Sequence, residues 1–460
     1  MARRVPRWLP PLVLAILAAI PYLDSLKAPL LWDDQSSIST NPCIVHFWPL
    51  PFWAPPDSVV AGRPVVCLTL AMNYAISGLH PWSYHLVNLL IHGCCALLLY
   101  ALIRRTLQLP RWEEKWRSGA GGYAMVVALL WAVHPIQTDA VTYITQRTEC
   151  LASLFLLATL YCSLRASDGV HPRTWQVGAI VACGLGLGCK EWMAMAPILV
   201  ILYEFIFLPP LARKNRRLLH LGLPLTWLLL PLFLSHVNMS NKSGFGPGRI
   251  SSWDYLKTQA GVICHYLRLV FWPHPLCLDY FDWPIATRLG PVLLPGLFLL
   301  VLLGVTTCCI FRSSCLGFAG AWFFLILAPT SSVLPIMTEV AAERRMYLPS
   351  AAVIAVVAAA LWRAGSGMPR WIWGTAVALL ACVLSIATAA RNWDYRSDLA
   401  IWTDTVTKRP NDARAHLHVA FALFHLHDVK GAIAELQTTL RLEPRYTDAR
   451  VLLRELQPPK

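Results

Sequence analysis

Long apolar runs separated by short polar loops make up most of positions 1–390. A helix needs about 20 apolar residues to cross the roughly 30 Å of hydrocarbon in a bilayer, and on that criterion the pattern predicts about eleven membrane spans. Their approximate ranges are 8–22, 84–103, 123–133, 150–164, 175–189, 193–208, 218–236, 292–311, 316–334, 347–362 and 371–389. We therefore expect an all-α, polytopic membrane protein whose membrane domain covers residues 1–395.

Two stretches of this membrane domain are too polar or too broken to span a bilayer. The first, 24–82, is rich in proline and tryptophan and predicts short interfacial helices. The second, 237–290, contains the apolar segment 255–272, which we interpret as a juxtamembrane helix. Counting that segment as a span would reverse the loop-charge pattern of everything after it. We expect both stretches to form outer loops.

The composition changes after Ala390. Residues 412–440 predict two amphipathic helices that break near His427, with the small residues Ala420 and Gly431 where helices would pack closely. The spacing is that of one 34-residue tetratricopeptide repeat (TPR), with a half unit before it and a final helix after it. About three repeats are needed for independent stability. We therefore expect residues 396–460 to lean on the membrane domain or on a protein partner.

The composition excludes a soluble fold, because 56% of the residues are hydrophobic and only 14% are charged. The net charge of +14 is spread over short loops. It forms no basic face with interleaved aromatic residues, so nucleic acid is not an expected partner. The 14 cysteines are scattered without metal-ligand spacing. We interpret them as packing residues and predict no metal site.

Lysine and arginine cluster in alternate loops, which places the N-terminus in the cytoplasm by the positive-inside rule. The opposite face then receives most carboxylates outside the tail, and it also receives the C-terminal repeat. These carboxylates are Asp33, Asp34, Asp139, Glu149, Asp254, Asp279, Asp282, Glu339 and Glu343. A transporter would more often carry such groups at mid-membrane depth. The pattern therefore favours chemistry at the outer surface.

Asp33 and Asp34 lie a few residues beyond the first predicted span. An adjacent pair of carboxylates at a membrane surface can supply a general base, bind a cation, or divide the roles of base and orienting group. The alternative is that Asp34 caps a following short helix and that Asp33 is merely solvated.

A second group of candidates joins the third and fourth predicted spans. His134 and Asp139 begin it, and Arg147 with Glu149 ends it. A histidine before proline is often a helix-end cap, and this is the competing interpretation of His134. A charge at the bilayer centre costs about 2.5–3.5 kcal/mol on insertion scales, so Arg147 and Glu149 near the boundary are expected to be paired or functional.

Basic residues that could face a phosphate occur at three further places. Lys190 and Glu191 interrupt a long apolar stretch, where Lys190 could bind phosphate with Glu191 as its tether, or the two could form a structural turn. Arg344 and Arg345 lie on the side disfavoured for positive charge and require an anionic partner, either nearby glutamates or a ligand phosphate. Arg63 is a weaker case of the same kind. A composition suited either to sugar hydroxyls or to an interface anchor occurs at Asp279, Tyr280, Asp282 and Trp283.

Nine short pieces of sequence occur in a specific order along nearly the whole chain. They are Trp32-Asp33-Asp34; Asn41-Pro42; Gly62-Arg63-Pro64; Asn73-Tyr74 through Pro81 to Asn88; His134-Pro135 with Asp139; Lys190-Glu191; Leu278-Asp279-Tyr280; Glu343-Arg344 with Tyr347-Leu348-Pro349; and the C-terminal repeat. In this order they resemble the transmembrane and tetratricopeptide-repeat O-mannosyltransferases, within the GT-C class of polyprenyl-phosphate-sugar-dependent glycosyltransferases. Members usually carry a longer repeat array than this chain does.

The resemblance implies a GT-C-like fold, a catalytic aspartate in the first outer loop, and transfer on the periplasmic or lumenal side. The donor would be a sugar, mannose, linked to polyprenyl (dolichyl or undecaprenyl) phosphate, and the family pattern argues against a divalent metal. Asp33 or Asp34 would be the base. Basic groups would neutralise the leaving phosphate, namely Lys190, Arg147, Arg344 and Arg345. The acceptor or sugar would contact Arg63, His134, Asp139, Glu149, Glu191, Asp279, Tyr280 and Glu343.

The expected partners are membrane lipid, the lipid-linked sugar, an acceptor protein or glycan, and a protein bound through the repeat. The main rival is an enzyme of the same architecture that modifies a lipid or glycan. A non-catalytic TPR membrane scaffold and a transporter are two further rival functions. Short loops and the short repeat favour a bacterial membrane over that of the endoplasmic reticulum.

Overall fold

A computed structural model describes residues 6–46, 54–237, 250–332, 335–336, 339–365 and 369–457. Within these ranges the regular elements are helices, as expected from the apolar pattern. The α-helices are α1 (Leu9–Ala19), α2 (Pro64–Ser77), α3 (Trp82–Leu107), α4 (Glu114–Ala132), α5 (Thr138–Thr142), α6 (Arg147–Arg165), α7 (Pro172–Leu187), α8 (Ala196–Phe207), α9 (Arg217–Leu225), α10 (Leu229–Leu234), α11 (Ser252–Phe271), α12 (Leu293–Phe311), α13 (Cys315–Leu327), α14 (Pro349–Ala364), α15 (Arg370–Asp394), α16 (Asp398–Lys408), α17 (Ala413–His425), α18 (Val429–Leu442) and α19 (Thr447–Leu456).

Fewer helices are long enough to cross a bilayer than the apolar runs predict. Among the described residues, six helical segments meet the length and hydropathy of a span, and a seventh arises if α4 and the bent segment after it, at 56°, count as one. The six are Leu9–Lys27, Trp82–Leu107, Ile144–Arg165, Arg217–Leu234, Gly290–Phe311 and Trp371–Asp394. Helices α13 and α14 are apolar but shorter. The chain is thus a multi-pass membrane protein, whereas the predicted eleven spans are not confirmed.

The spans differ in how much of their surface other parts of the protein cover. In α6 72% of the apolar window is buried, whereas in α12 only 6% is buried and in α15 11%. Leu294 and Leu300 of α12 are 80% and 67% exposed. An apolar surface of this size is unfavourable in water and favourable in hydrocarbon. Helix α6 therefore belongs to the centre of the bundle, packed against α3 and α7, and α12 belongs to its lipid-facing edge.

The two predicted outer loops contain short helices in their described parts. Turns Gln35–Ser39 and Pro42–Ile44 and helix α2 occupy the first loop, as its pattern indicated. The second contains α11, whose first turn is capped by the Ser251 hydroxyl accepting from the Asp254 N–H at 3.0 Å. Helix α11 has 20 residues but is not among the candidate spans. That agrees with its interpretation as a juxtamembrane helix, whose position relative to the bilayer stays a prediction.

Four successive helices, α16 to α19, form the described part of the C-terminal segment. Side-chain caps begin three of them, at Ser397, Asp412 and Asp428. The predicted break near His427 is present, because His427 adopts a φ of +65° between α17 and α18. Apolar residues on the facing sides form one small core, composed of Leu417, Ala420, Leu436, Ala449 and Leu452. The helical pattern is as predicted, and its assignment to a tetratricopeptide repeat stays a prediction.

Candidate active site

Asp34 is a buried, fully hydrogen-bonded carboxylate. The Leu31 N–H donates to its Oδ2 at 2.9 Å, and the Thr145 N–H donates to Oδ1 at 2.8 Å. The Thr145 hydroxyl donates to the same Oδ1. Asp34 is only 1% exposed, and its side chain makes no cap to the turn that follows it. The capping interpretation is therefore wrong: Asp34 ties the first loop to the segment before α6.

Asp33 is half-buried and lies beside charged groups instead. Its N–H donates to the Tyr143 hydroxyl at 2.8 Å, and its carboxylate also bonds with Tyr143. Burial, followed by the negative charge of Glu339, raises the pKa of Asp33 to about 6 against the opposing effect of Arg344. Burial raises the pKa of Asp34 to about 7. Asp33 thus combines partial exposure with a carboxyl group whose pKa is raised.

Arg344 connects the segment before α14 to Asp139 in α5. The sequence predicted only that these two segments lie on the same face of the membrane. Its Nη1 lies 3.2 Å from Asp139 Oδ2, its backbone N–H donates to the same oxygen at 3.1 Å, and its Nη2 contacts Glu339. Burial acts to raise the pKa of Glu339, but the charges of Arg344 and Arg345 outweigh it and hold that pKa at about 2. Glu339 is therefore ionised and pairs with Arg344.

Lys190 pairs with Glu149 and not with its sequence neighbour. Lys190 Nζ lies 2.6 Å from Glu149 Oε1, and the Trp192 indole N–H donates to Glu149 Oε2 at 2.8 Å. Glu191 instead pairs with Arg63 at 3.2 Å. The backbone of Lys190 is extended, so its side chain and the next point to opposite sides. The predicted tether of Lys190 by Glu191 is therefore wrong.

Arg147 and Arg345 are held by uncharged protein groups. Arg147, fully buried, donates to Asn88 at 2.6 Å, Asn73 at 2.6 Å and the Tyr84 carbonyl at 2.8 Å. These bonds join α2, α3 and α6. Arg345 donates to backbone carbonyls, those of Thr330 at 3.1 Å, Val340 at 3.2 Å and Glu339. In this arrangement both arginines fix backbone segments, which leaves Lys190 and Arg344 as the better placed of the predicted phosphate ligands.

His134 has the capping role that competed with a functional one. Its Nδ1 accepts from the Ile136 N–H at 3.2 Å, and its Nε2 donates to the Val270 carbonyl at 3.0 Å. It is 2% exposed. Because both ring nitrogens are engaged, the described arrangement leaves His134 without a nitrogen for a sugar or an acceptor.

Tyr280, Glu343 and Asp279 form the far side of the site. The Tyr280 hydroxyl donates to Glu343 Oε1 at 2.5 Å, and the Cys277 N–H donates to the same oxygen at 2.6 Å. Burial raises the pKa of Glu343 to about 7. Asp279 accepts two bonds from Arg414 of α17, at 2.6 and 2.5 Å. Arg414 was not among the sequence candidates.

Several charged groups of the site act on Glu339. The groups whose charges act on the pKa of Glu339 include Arg344, Lys190 and Arg414, and Glu339 in turn acts on that of Asp33. The charges of Arg344 and Arg414 also act on Asp33, so the structure brings this first-loop carboxylate near cations from two distant segments. Thr145 and Tyr143, which hold the two aspartates, had no distinctive signal in the sequence.

Several known proteins are similar to this chain. The family model for dolichyl-phosphate-mannose-protein mannosyltransferase matches residues 61–237. Protein O-mannosyl-transferase TMTC2 of Mus musculus is 34% identical over 191 residues, which are 39% of this chain and 21% of that protein. Protein O-mannosyl-transferase Tmtc3 of Drosophila melanogaster is 26% identical over 525 residues, covering 94% of this chain and 55% of that protein. The chain therefore spans between a fifth and about half of the length of these relatives.

The matched family range includes Arg63, Asp139, Glu149 and Lys190 but not Asp33. Among solved structures, the crystal structure of ArnT from Cupriavidus metallidurans bound to undecaprenyl phosphate has a TM-score of 0.46 and 15% identity, covering 98% of this chain and 77% of that one. At this TM-score the similarity does not establish a shared fold. The two mannosyl-transferase relatives are animal proteins, so they give no support to the preference for a bacterial membrane. The chain is similar in sequence to protein O-mannosyl-transferases, over 94% of its length in the case of Tmtc3, and the resemblance predicted from its ordered motifs is confirmed.

Proposed function

We propose that the chain transfers mannose from a polyprenyl-phosphate donor to an acceptor hydroxyl, a protein Ser or Thr, on the non-cytoplasmic face of the membrane. The observation that carries this proposal is the position of Asp33, a half-buried carboxylate with a pKa of about 6, next to the charges of Arg344 and Arg414. The names of the relatives support mannose and a protein acceptor. We place the N-terminus in the cytoplasm, catalysis in residues 1–395 and a tetratricopeptide-like unit in residues 396–460.

Asp33 is the better choice of general base. The base must accept a proton from the acceptor hydroxyl, so it needs a free oxygen within reach of the substrate. Asp34 directs both of its oxygens into bonds with Leu31 and Thr145 and is 1% exposed. Asp33 is more exposed and lies on the side of the cations. Asp34 would then be a positioning residue that anchors the loop.

Lys190 and Arg344 would stabilise the leaving phosphate. In the transfer, the bond between the anomeric carbon and the phosphate oxygen breaks, the acceptor oxygen bonds to that carbon, and the acceptor proton passes to Asp33. The sugar passes through an oxocarbenium-like state while negative charge grows on the departing polyprenyl phosphate. Fixed positive charges beside that oxygen lower the barrier. The ion pair of Arg63 and Glu191 is more exposed than that of Lys190 and Glu149, and we place it at the substrate entrance.

An apolar groove offers a place for the prenyl chain of the donor. It has a volume of about 830 Å³, lies between α4, α14 and α15, and extends from Lys115 in the first turn of α4 to His134, just after the end of that helix. Both of its main walls lead to the site: α4 continues through a bent turn to Asp139, and α14 starts just after the turn that carries Arg344. We propose that the prenyl chain lies in this groove with its phosphate at Arg344.

Filling the groove should weaken use of the donor. Val357 of α14 lines it, and Val357→Trp would insert an indole into the space of the chain. We expect the KM for the lipid donor to rise at least about tenfold, since about 1.4 kcal/mol of lost apolar contact suffices. Leu294→Trp, on the exposed face of α12, is the matched control and should behave as the wild type. An unchanged KM in Val357→Trp would place the chain elsewhere.

The rate should depend on pH through Asp33. Because its pKa is raised to about 6, Asp33 loses its proton, and can act as a base, as the pH rises through about 6. The value of kcat/KM should therefore increase up to about pH 7 and then level off, with a rate at pH 5 of about a tenth of the plateau. Initial rates between pH 4.5 and 8.5 would test this. A rate that falls over the same interval would argue against a base at this position.

The acceptor class can be tested with membranes that contain the chain and dolichyl-phosphate-mannose labelled in the sugar. Label should appear in the protein fraction, and chelation of divalent ions should leave the rate unchanged. Label confined to the lipid or free-glycan fraction would favour the rival enzyme of the same architecture. A chain that transfers no label from any polyprenyl-phosphate sugar would favour the scaffold interpretation.

A further inference from the structure

Trp32, directly before Asp33, has an unusual backbone conformation. Its φ is +36°, in the left-handed region that residues other than glycine rarely adopt. Such a conformation persists only where the surrounding structure holds it, and it is concentrated at functional sites. Since Asp33 follows Trp32 in the chain, any rotation of the Trp32 backbone would displace the Asp33 carboxylate.

The indole of Trp32 is held by a cage of four side chains, three of which come from the C-terminal helices. The Tyr143 ring stacks on it at 6.5 Å and an angle of 7°. The rings of Trp402 and His418 meet it edge-on at 5.2 and 5.4 Å, and the Arg414 guanidinium lies 5.1 Å from its centre. Trp402 belongs to α16, and the other two belong to α17. We call these three residues the C-terminal cage.

The C-terminal cage is itself rigidly supported. His418 stacks on Trp402 at 4.2 Å with an angle of 11°, and Trp402 is 1% exposed. Burial and the charge of Arg414 lower the pKa of His418 to about 4, so the stacked ring is neutral. Arg414 makes the two bonds to Asp279 and also lies 4.7 Å from the Phe281 ring. An arginine held in this way has little freedom left to move.

The membrane domain and the first C-terminal helices also share an apolar core beside the cage. Buried residues of the first loop, the α5–α6 connection and the second loop pack directly against residues of α16 and α17. This core includes Leu31, Tyr143 and Leu278 from the loops and the connection, and Ile401, Trp402 and Ala415 from α16 and α17. This core lies apart from the small core that holds α17, α18 and α19 together. Helices α16 and α17 are therefore built into the membrane domain at the point where Asp33 lies.

We infer that α16 and α17 are a working part of the catalytic site, in which Trp402, His418 and Arg414 are positioning residues that fix Trp32 and thereby aim the carboxylate of Asp33. This inference rests on the proposed function and extends it. It assigns the first C-terminal helices a role beyond recruiting an acceptor, while α18 and α19 remain available for a partner. The carboxylate of Asp33 and the charge of Arg414 also act on each other directly.

The inference is tested with the full-length chain in proteoliposomes, using dolichyl-phosphate-mannose as donor. Trp402→Ala and Arg414→Gln should each lower kcat by about 10²-fold, the effect expected of a misplacement of about 1 Å, and leave the KM for the donor unchanged. Trp402→Phe keeps a ring against His418 and should restore most of the rate. Arg441→Gln, an exposed arginine on α18, is the matched control and should match the wild type.

A second measurement does not depend on activity. Hydrogen exchange of the backbone amides in residues 30–38 should become at least about tenfold faster in Trp402→Ala and Arg414→Gln, and should stay unchanged in Arg441→Gln. Unchanged exchange in this segment would overturn the inference, whether or not the wild type transfers mannose. So would an unchanged kcat per folded molecule, with the folded fraction measured by thermal unfolding. If the wild type is inactive but the segment loosens, the proposed function fails and the positioning role stands.

Discussion

Replacing Asp33 with Asn should lower kcat for mannose transfer by about 10²- to 10⁴-fold. An amide of the same size cannot accept the proton of the acceptor hydroxyl, and general-base catalysis contributes an effect of this order. The KM for the donor should change little, because the prenyl chain and phosphate are bound by other groups. Initial rates with purified protein at saturating donor would measure the loss. The pH dependence below about 7 should vanish in the same variant.

Asp34→Asn is the matched control for this prediction. Its side chain accepts bonds from Leu31 and Thr145, so its loss should act mainly through stability and loop position. We expect a lower unfolding temperature and a smaller fall in kcat than in Asp33→Asn. An Asp33→Asn variant that transfers at the wild-type rate, beside an inactive but folded Asp34→Asn variant, would exchange the two roles.

Arg344→Gln should lower kcat/KM by about 10²- to 10³-fold, the usual effect of removing one group that stabilises a developing oxyanion. It should also destabilise the fold by about 3–5 kcal/mol, because Asp139 would be left as a buried, unpaired charge. Arg344 and Asp139 are 3% and 0% exposed, so solvent cannot compensate. Transfer rates and thermal unfolding in detergent would measure the two effects.

A double substitution separates the two effects of Arg344. Asp139→Asn together with Arg344→Gln leaves two neutral amides in place of the ion pair. The unfolding temperature should recover much of its loss, because Asp139 is no longer a buried, unpaired charge and only Glu339 still lacks Arg344, while transfer should stay low. Recovery of both stability and transfer would mean that Arg344 acts only in holding the fold and that the phosphate lies at another cation.

The sequence predicted those parts of the fold that depend on the local pattern of apolar and polar residues. The long helices of the membrane domain coincide with apolar runs or with the expected juxtamembrane segment, and the caps at Asp412 and Asp428 agree with the predicted repeat helices. Among the described residues fewer helices reach spanning length than the eleven spans predicted, because hydropathy reports burial in apolar surroundings and not the length over which a helix stays unbroken. Helix α8, which follows the turn at Lys190, has only 12 residues and is too short to cross a bilayer alone.

The candidate site was only partly predictable, because its contacts join residues far apart in the chain. The motifs included Asp33, Lys190 and Arg344. Because Lys190 and Glu191 are neighbours in the sequence, we predicted that they pair, but Lys190 bonds to Glu149, 41 residues away. Arg147 had the same sequence signal as Arg344, a charge beside an apolar run, yet neutral amides enclose it. Nothing local to Arg414 indicates that it faces Trp32, which lies near the other end of the chain.

The most direct test is a balance of donor and product with the purified chain. Proteoliposomes containing dolichyl-phosphate-mannose and an acceptor protein should release one dolichyl phosphate for each mannose that becomes attached to protein, and Asp33→Asn should release almost none. Wild-type protein that leaves the donor intact, under conditions where it is folded and the acceptor is present, would contradict the account. So would equal release by the wild type and Asp33→Asn.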